Sequence, residues 1–242
     1  MEVKQYAEDA LTINLGSEVD EKINKQLVQL KSAVTELELK GITDIVLSYT
    51  SLIIYFDVLK ADSKKITAAL KALDLTELED MEYAYKVVKI PVCYGGDFGP
   101  DIDRFKENGL TPEEVISMHS DTEYLVYMLG FMPGFPFLGG LDEKLFKARL
   151  DSPRTNIPAG SVGIGGQQTG MYPFDSPGGW NLLGRTPVPL YDSVREDAIL
   201  YEAGDRIIYT AIDEAEYDRI KEAYGKGEYT VEIEYRGEED GA

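Results

Sequence analysis

The chain has 242 residues, 43% of them hydrophobic, and carries 24 basic against 44 acidic side chains for a net charge of −20. That length suits one large domain or two small ones, and the charge argues against nucleic acid or an anionic membrane as a partner. No apolar run approaches the ~18 residues of a membrane span. The start, MEVKQYAEDALTINLG, has neither the basic flank nor the apolar stretch of a signal peptide, so a cytoplasmic protein is expected.

Taken in chain order, residues 9–15 alternate as a strand. A helix is predicted from about Val19 to Leu39, because Ile23, Leu27, Leu30, Val34 and Leu37 fall at spacings of 4, 3, 4 and 3 and form one apolar stripe. Residues 42–48 and 52–58 are β-rich and flank Tyr49-Thr50-Ser51 as a hairpin. Ser63 is placed to cap a second helix bearing Ile66, Leu70 and Leu73, and residues 85–92 read as a strand. The order βαββαβ is the split βαβ, ferredoxin-like pattern. Beyond Pro91 come a short helix over 101–108, ended by Gly109, and a helix opened by Thr111-Pro112-Glu113-Glu114. A strand over 122–131, several short strands, a strand at 205–212, a helix from Asp213 to Tyr224 and an alternating strand at 228–236 follow. Many short strands with few helices suggest a closed or nearly closed β-barrel. The predicted architecture is α+β, with an α+β domain over 1–88, a barrel over 89–236 and a disordered acidic tail over 237–242.

One segment differs from the rest. Residues Tyr124 to Pro187 hold 12 of the 23 glycines and 7 of the 11 prolines, yet only nine charged residues in 64. A stretch so bent and so poor in charge must pack against something, as the floor of a site or a docking face. Familiar chemistry is excluded there. The run Gly160 to Gly170 has glycines without the lysine of a phosphate loop, and Gln168 stands where a dinucleotide fingerprint needs its third glycine. Ser161 and Ser176 both lack the flanking glycine of a nucleophile elbow. With one cysteine, Cys93, and one histidine, His119, neither a disulfide nor a multi-ligand zinc site is available, and no metal site is expected. Cys93, in a predicted strand, is expected to be an inert buried thiol.

The candidates that remain are few. Arg154 and Arg185 present planar donor forks suited to carboxylate or phosphate, or pair with Asp175 or backbone carbonyls. Gln167 sits in a glycine-rich turn that addresses a ligand or is merely polar. Ser176-Pro177-Gly178-Gly179 places a tight turn before Trp180, whose backbone N–H groups suit an anion, while Trp180 itself also suits a core. Tyr172 lies in the same block. His119 is the natural proton-transfer group, or a structural histidine. The apolar run Gly130 to Gly140 walls a pocket, docks a partner or turns in the core.

Several segments together resemble a known family. PVCYGGDFGPD (91–101), TPEEVISMHS (111–120), YLVYMLGFMPGFPFLGGLD (124–142), SPRTNIPAGSVGIGGQQTGMYPFDSPGGWNLLGRTP (152–187) and AGDRI (203–207) are similar to the B subunit of bacterial 5-oxoprolinase, also called allophanate hydrolase subunit 1. The family includes the inhibitor of a sporulation histidine kinase. Departures are small: Lys147-Ala148-Arg149 replaces a Pro before the Arg, and Gly165-Gly166 replaces Ala-Gly. The resemblance implies a ferredoxin-like first domain and a cyclophilin-like barrel. It implies ATP-dependent cleavage of 5-oxo-L-proline to L-glutamate, with ATP as cosubstrate and Mg2+, in company with subunits C and A. A sensor histidine kinase as partner and a urea-derived amide as substrate are the alternatives. On that reading Arg154, Arg185 and His119 are catalytic, and Gln167, Tyr172, Ser176, Gly178 and Gly179 hold substrate or nucleotide.

Overall fold

The computed structural model describes residues 2–76 and 83–237, so all but the first residue of the expected acidic tail lies outside the described residues. Those residues form two compact units, one built from residues up to Ala84 together with Gly237, the other from Tyr85–Arg236.

The first unit contains β1 (Val3–Ala7), β2 (Ala10–Asn14), α1 (Glu21–Glu36), β3 (Ile42–Leu47), β4 (Ser51–Phe56) and α2 (Ser63–Ala72). Its sheet has the order β1-β2-β4-β3 with every neighbouring pair antiparallel. Strands β2 and β3 therefore run parallel with β4 between them, which is a split βαβ. Helix α1 starts two residues later than the apolar stripe suggests, because the Asp20 carboxylate accepts from the Lys22 and Ile23 N–H groups and so caps it. Asp62, not Ser63, caps α2 in the same way. Leu27, Leu30 and Val34 of α1 and Ile66 and Leu70 of α2 are buried, as are Leu11, Ile13, Leu52, Ile54 and Phe56 of the sheet. Each such side chain contributes roughly 1.5–3 kcal/mol.

The expected order βαββαβ is corrected to ββαββα. The missing fourth strand is supplied from the N-terminus by β1, and the strand expected to close this unit belongs to the other sheet. That strand, β5 (Tyr85–Tyr94), reads Val-Val-Lys-Ile-Pro-Val-Cys, nearly all apolar, because it is buried among its neighbours. It is followed by a 310 helix (Ile102–Asn108), α3 (Pro112–Ser120), β6 (Glu123–Leu129), β7 (Pro136–Gly139), a 310 turn (Glu143–Leu145), β8 (Arg154–Ile157), β9 (Ser161–Gly165), β10 (Gln168–Met171), β11 (Ser176–Gly178), β12 (Asn181–Arg185), β13 (Arg206–Ile212), α4 (Glu214–Gly225) and β14 (Glu232–Arg236). Thr111 and Glu114 form the capping box of α3.

The main sheet runs β10-β9-β12-β5-β13-β6-β7. Strand β13 lies parallel to β5 along its length. On the other edge β5 pairs first with β14, as far as Lys89, and then with β12 from Cys93. Pro91 falls in the gap between those two partners, where the missing N–H costs no ladder bond. The outer strands β7 and β10 approach each other: a Cβ on Gly170 would stand 3.1 Å from the Pro136 carbonyl. The result is a nearly closed barrel around Val88, Ile90, Val92, Val126, Val162, Ile164 and Ile207. Among the described residues no helix is long and apolar enough to cross a membrane.

Candidate functional site

The glycine- and proline-rich block builds a cavity of about 390 Å3 on the barrel's flank. Arg149 and Pro153 line it from the run before β8, and its other walls come mainly from two places. The tip between β6 and β7 contributes Phe131 and Phe135, with Phe137 following on β7. The run from β11 to β12 contributes Pro177, Gly178, Gly179 and Trp180, with Tyr172 from the end of β10. Phe135 is central, standing edge-on to Tyr172 at 5.6 Å, to Trp180 at 5.7 Å and to Phe131 at 5.5 Å. Tyr172 and Trp180 complete the box at 5.9 Å. Such edge-to-face rings hold one another at fixed angles and leave an apolar face open. Gly178 is required here by close approach, since a Cβ would lie 2.6 Å from both the Tyr172 hydroxyl and Ile157 Cδ1.

Two groups give the cavity polarity. Arg149 lines it, is exposed, and has no carboxylate partner among the described residues. Burial pushes the Tyr172 phenol up to about 12, and the nearby Arg149 charge pulls against that rise. Tyr172 is therefore a hydrogen-bond donor at neutral pH, never a base. Among the described residues no carboxylate, histidine or thiol lines the cavity, and no three His, Cys, Asp or Glu side chains are grouped to hold a metal ion.

The β6–β7 tip is strained. The Met132 N–H donates to the Gly130 carbonyl at 2.7 Å across Phe131, whose φ is +67°. An i to i+2 bond closed over a positive φ is the rare, strained γ-turn. Holding a phenylalanine there costs about 1–3 kcal/mol.

Of the eight residues singled out from sequence, the structure brings Tyr172, Gly178 and Gly179 together in this cavity. Gln167 is exposed at the β9–β10 turn, and Ser176 lies on β11 with its hydroxyl buried; neither lines it. Arg154 is committed elsewhere: its guanidinium meets Asp101 at 2.8 Å and the Trp180 carbonyl at 3.4 Å. Arg185, at the end of β12, stands over the Phe98 ring at 5.8 Å beside Tyr217. Both arginines are expected to grip substrate or phosphate or to pair within the protein; the structure places the Arg154 charge on the nearly buried Asp101 carboxylate.

His119, expected as a proton-transfer group or a structural histidine, lies away from this cavity. It is fully buried in the barrel, stacked on Tyr209 at 4.5 Å. The Tyr94 hydroxyl lies 2.8 Å from Nδ1, and Nε2 lies 2.7 Å from the Thr169 hydroxyl, which donates onward to the Gly163 carbonyl at 3.2 Å. A neutral ring with its proton on Nε2 satisfies this set. Burial pushes its pKa down to about 3. Both nitrogens are engaged and the ring has no solvent contact. Cys93 is buried and free, and burial pushes its thiol up. The cavity residues that sequence reasoning does not single out are Phe131, Phe135, Phe137, Arg149 and Pro153. For Phe135 and Phe137 a signal exists, because the run Gly130 to Gly140 reads as a wall, a docking face or a core turn as a whole.

Comparison with known proteins places these features in context. Residues 1–201 match the family model of the carboxyltransferase domain, subdomain C and D. The chain is 40% identical over 232 residues to the 5-oxoprolinase B subunit of Bacillus subtilis (strain 168), covering 91% of this chain and 97% of that one. It is 25% identical over 261 residues to urea amidolyase of Lachancea kluyveri, covering 95% of this chain and 14% of that one. Among solved structures TTHA0988 superposes with a TM-score of 0.75 at 36% identity, covering 84% of this chain. The chain spans 40% of the length of that protein.

Proposed function

This chain belongs to the family of 5-oxoprolinase B subunits, of the carboxyltransferase-domain type (subdomain C and D), and we propose that it is the B subunit of an ATP-dependent 5-oxoprolinase, opening 5-oxo-L-proline to L-glutamate. The observation that carries this reading is Arg149, a cation without a carboxylate partner among the described residues, set at an aromatic cavity. A small lactam acid has matching parts. Its carboxylate pairs with the Arg149 guanidinium, its flat ring lies against Phe135 and Trp180, and its carbonyl oxygen accepts from the Tyr172 hydroxyl.

A five-membered lactam is a stable amide. Opening it requires water at the carbonyl carbon, charge on the carbonyl oxygen, and departure of the ring nitrogen as an amine. Tyr172, protonated at neutral pH, meets that oxygen as a fixed donor. Arg149 fixes the ring's orientation and the aromatic walls keep bulk water from it. The residues present do not fit Mg-ATP: among the described residues the cavity offers one cation and no carboxylate, and the sequence has no phosphate loop. Phosphate handling and the base that activates water are accordingly assigned to companion subunits, A and C, and the cavity is one half of a shared site. This reading carries with it a cyclophilin-like form for the barrel and a ferredoxin-like form, with β1 as its fourth strand, for the first unit.

The test is co-expression with the neighbouring genes, purification of what assembles, and assay of ATP-dependent glutamate release, with the chain alone as control. Turnover only in the assembly is expected, and turnover undiminished by Arg149→Ala would sink the assignment of this cavity. The likeness to urea amidolyase favours a second reading, a urea-derived amide acid such as allophanate, which also offers a carboxylate to Arg149. A stable assembly that turns over allophanate and not 5-oxoproline would establish it.

A further inference from the structure

The strain at Phe131 has no structural beneficiary. The residue is 72% exposed, its ring meets that of Phe135 among the described residues, and Glu38 is the other described non-glycine residue with positive φ. A glycine would adopt the same backbone without cost. The tip cannot relax by moving as a whole, because it is pinned on three sides: Gly130 N–H to the Phe135 carbonyl at 3.2 Å, Phe135 N–H to the Met132 carbonyl at 3.0 Å, and the Tyr201 hydroxyl to the Gly134 carbonyl at 2.7 Å. A bulky ring is thus held in an unfavourable conformation, by a rigid tip, at the edge of the cavity that Arg149 also lines. Strained residues of this kind cluster at active sites and ligand clamps.

We propose that Phe131 is the specificity-determining residue of the cavity: its ring closes over a bound planar ring whose carboxylate is held by Arg149, selecting cyclic carboxylic acids over open-chain ones. The proposal rests on the reading that the cavity binds the substrate. Phe131 grips the ring and takes no part in bond making or breaking, so it acts on affinity and on the choice between ligands.

The test uses the full chain, alone and in the co-purified assembly, with Phe131→Gly, Phe131→Ala and Phe131→Tyr. Binding of 5-oxo-L-proline, benzoate and L-glutamate is measured by calorimetry, with fluorescence of the single tryptophan, Trp180, as a second readout on the chain alone. Phe131→Gly is expected to bind the cyclic acids about tenfold more weakly while melting at or above the wild-type temperature. Phe131→Ala should weaken binding equally and melt below Phe131→Gly, and Phe131→Tyr should restore affinity. A structural role predicts the reverse, a lower melting temperature for Phe131→Gly with affinity intact, and that result overturns the proposal. Benzoate binding that depends on Phe131, without 5-oxoproline binding, rejects the lactam reading and keeps this one. Binding of 5-oxoproline unchanged in Phe131→Gly does the opposite. Failure of the wild type to bind either cyclic acid, alone or assembled, rejects both.

Discussion

Arg154 and Asp101 are joined at 2.8 Å, and the second oxygen of the same carboxylate takes the Leu182 N–H at 2.7 Å. One nearly buried carboxylate therefore ties β8 and β12 to the start of the 310 helix after β5. Its side chain is 7% exposed and that of Arg154 30%. Arg154→Ala leaves Asp101 charged, buried and short of a partner, so it should cost about 3 kcal/mol of stability, read from urea unfolding. A loss below about 0.5 kcal/mol, typical of a surface pair, would show that the pair holds nothing. Asp101→Asn combined with Arg154→Met should recover part of the loss, since neither charge then remains buried.

The buried His119 predicts a specific pH response. Its pKa is pushed down to about 3 in the folded protein and returns to about 6.5 when the chain unfolds. Between those values the unfolded state binds the extra proton. Stability is therefore fully present above about pH 6.5 and is lost as pH falls towards 3, by up to about 1.4 kcal/mol per pH unit. His119→Gln keeps a side chain able to donate and accept but removes the titration. It should be less stable at pH 7, through lost packing on Tyr209, and should show a shallower loss between pH 6 and pH 4. Identical slopes for the two proteins would mean that the ring is not held neutral.

What could be read in the sequence divides by the range of the interaction responsible. The stripe of α1, the Thr111 cap and the glycine that ends the 310 helix are local patterns. Their physics lies within a few residues, so they are legible. The partners of β5 are not, because residues 85–92 read as a strand in either unit. The pairings with β12, β13 and β14, all distant in sequence, decide the matter. The site follows the same division. That the block from Tyr124 to Pro187 packs against the rest of the fold is visible in its glycine, proline and charge content. Which arginine is free is not. Arg154, Arg185 and Arg149 have the same chemistry in sequence, and Asp101, 53 positions from Arg154, removes one of them. Likewise, nothing near His119 in sequence announces Tyr94 and Thr169, which close off both its nitrogens.

Arg149 offers the simplest separation of binding from folding. It is exposed and has no carboxylate partner among the described residues, so Arg149→Ala should change stability by less than about 0.5 kcal/mol. Loss of a charge-assisted contact to a substrate carboxylate costs about 1.5–3 kcal/mol, so KM in the assembly should rise about 10- to 100-fold with kcat little changed. Arg149→Lys should recover only part of this, because a point charge cannot match the two-pronged geometry. A fall in kcat at unchanged KM would assign Arg149 to the reacting end of the ligand instead.

Gly178 and Tyr172 make a coupled pair whose effects on fold and function should come apart. A Cβ at position 178 would lie 2.6 Å from the Tyr172 hydroxyl and 2.6 Å from Ile157 Cδ1, so Gly178→Ala must displace one or both. Overpacking of this kind costs about 1–3 kcal/mol, and if Tyr172 serves as the proposed donor, turnover should fall as its hydroxyl is displaced. Tyr172→Phe removes only a hydroxyl without a hydrogen-bond partner among the described residues, so stability should stay within about 0.5 kcal/mol while kcat falls about 10- to 100-fold. In the double variant the phenylalanine ring no longer carries the clashing oxygen. Part of the stability lost to Gly178→Ala should return, and the activity should not. Recovery of activity together with stability would mean that the hydroxyl has no role beyond filling space, and the donor assigned to the lactam oxygen would have to come from a companion chain.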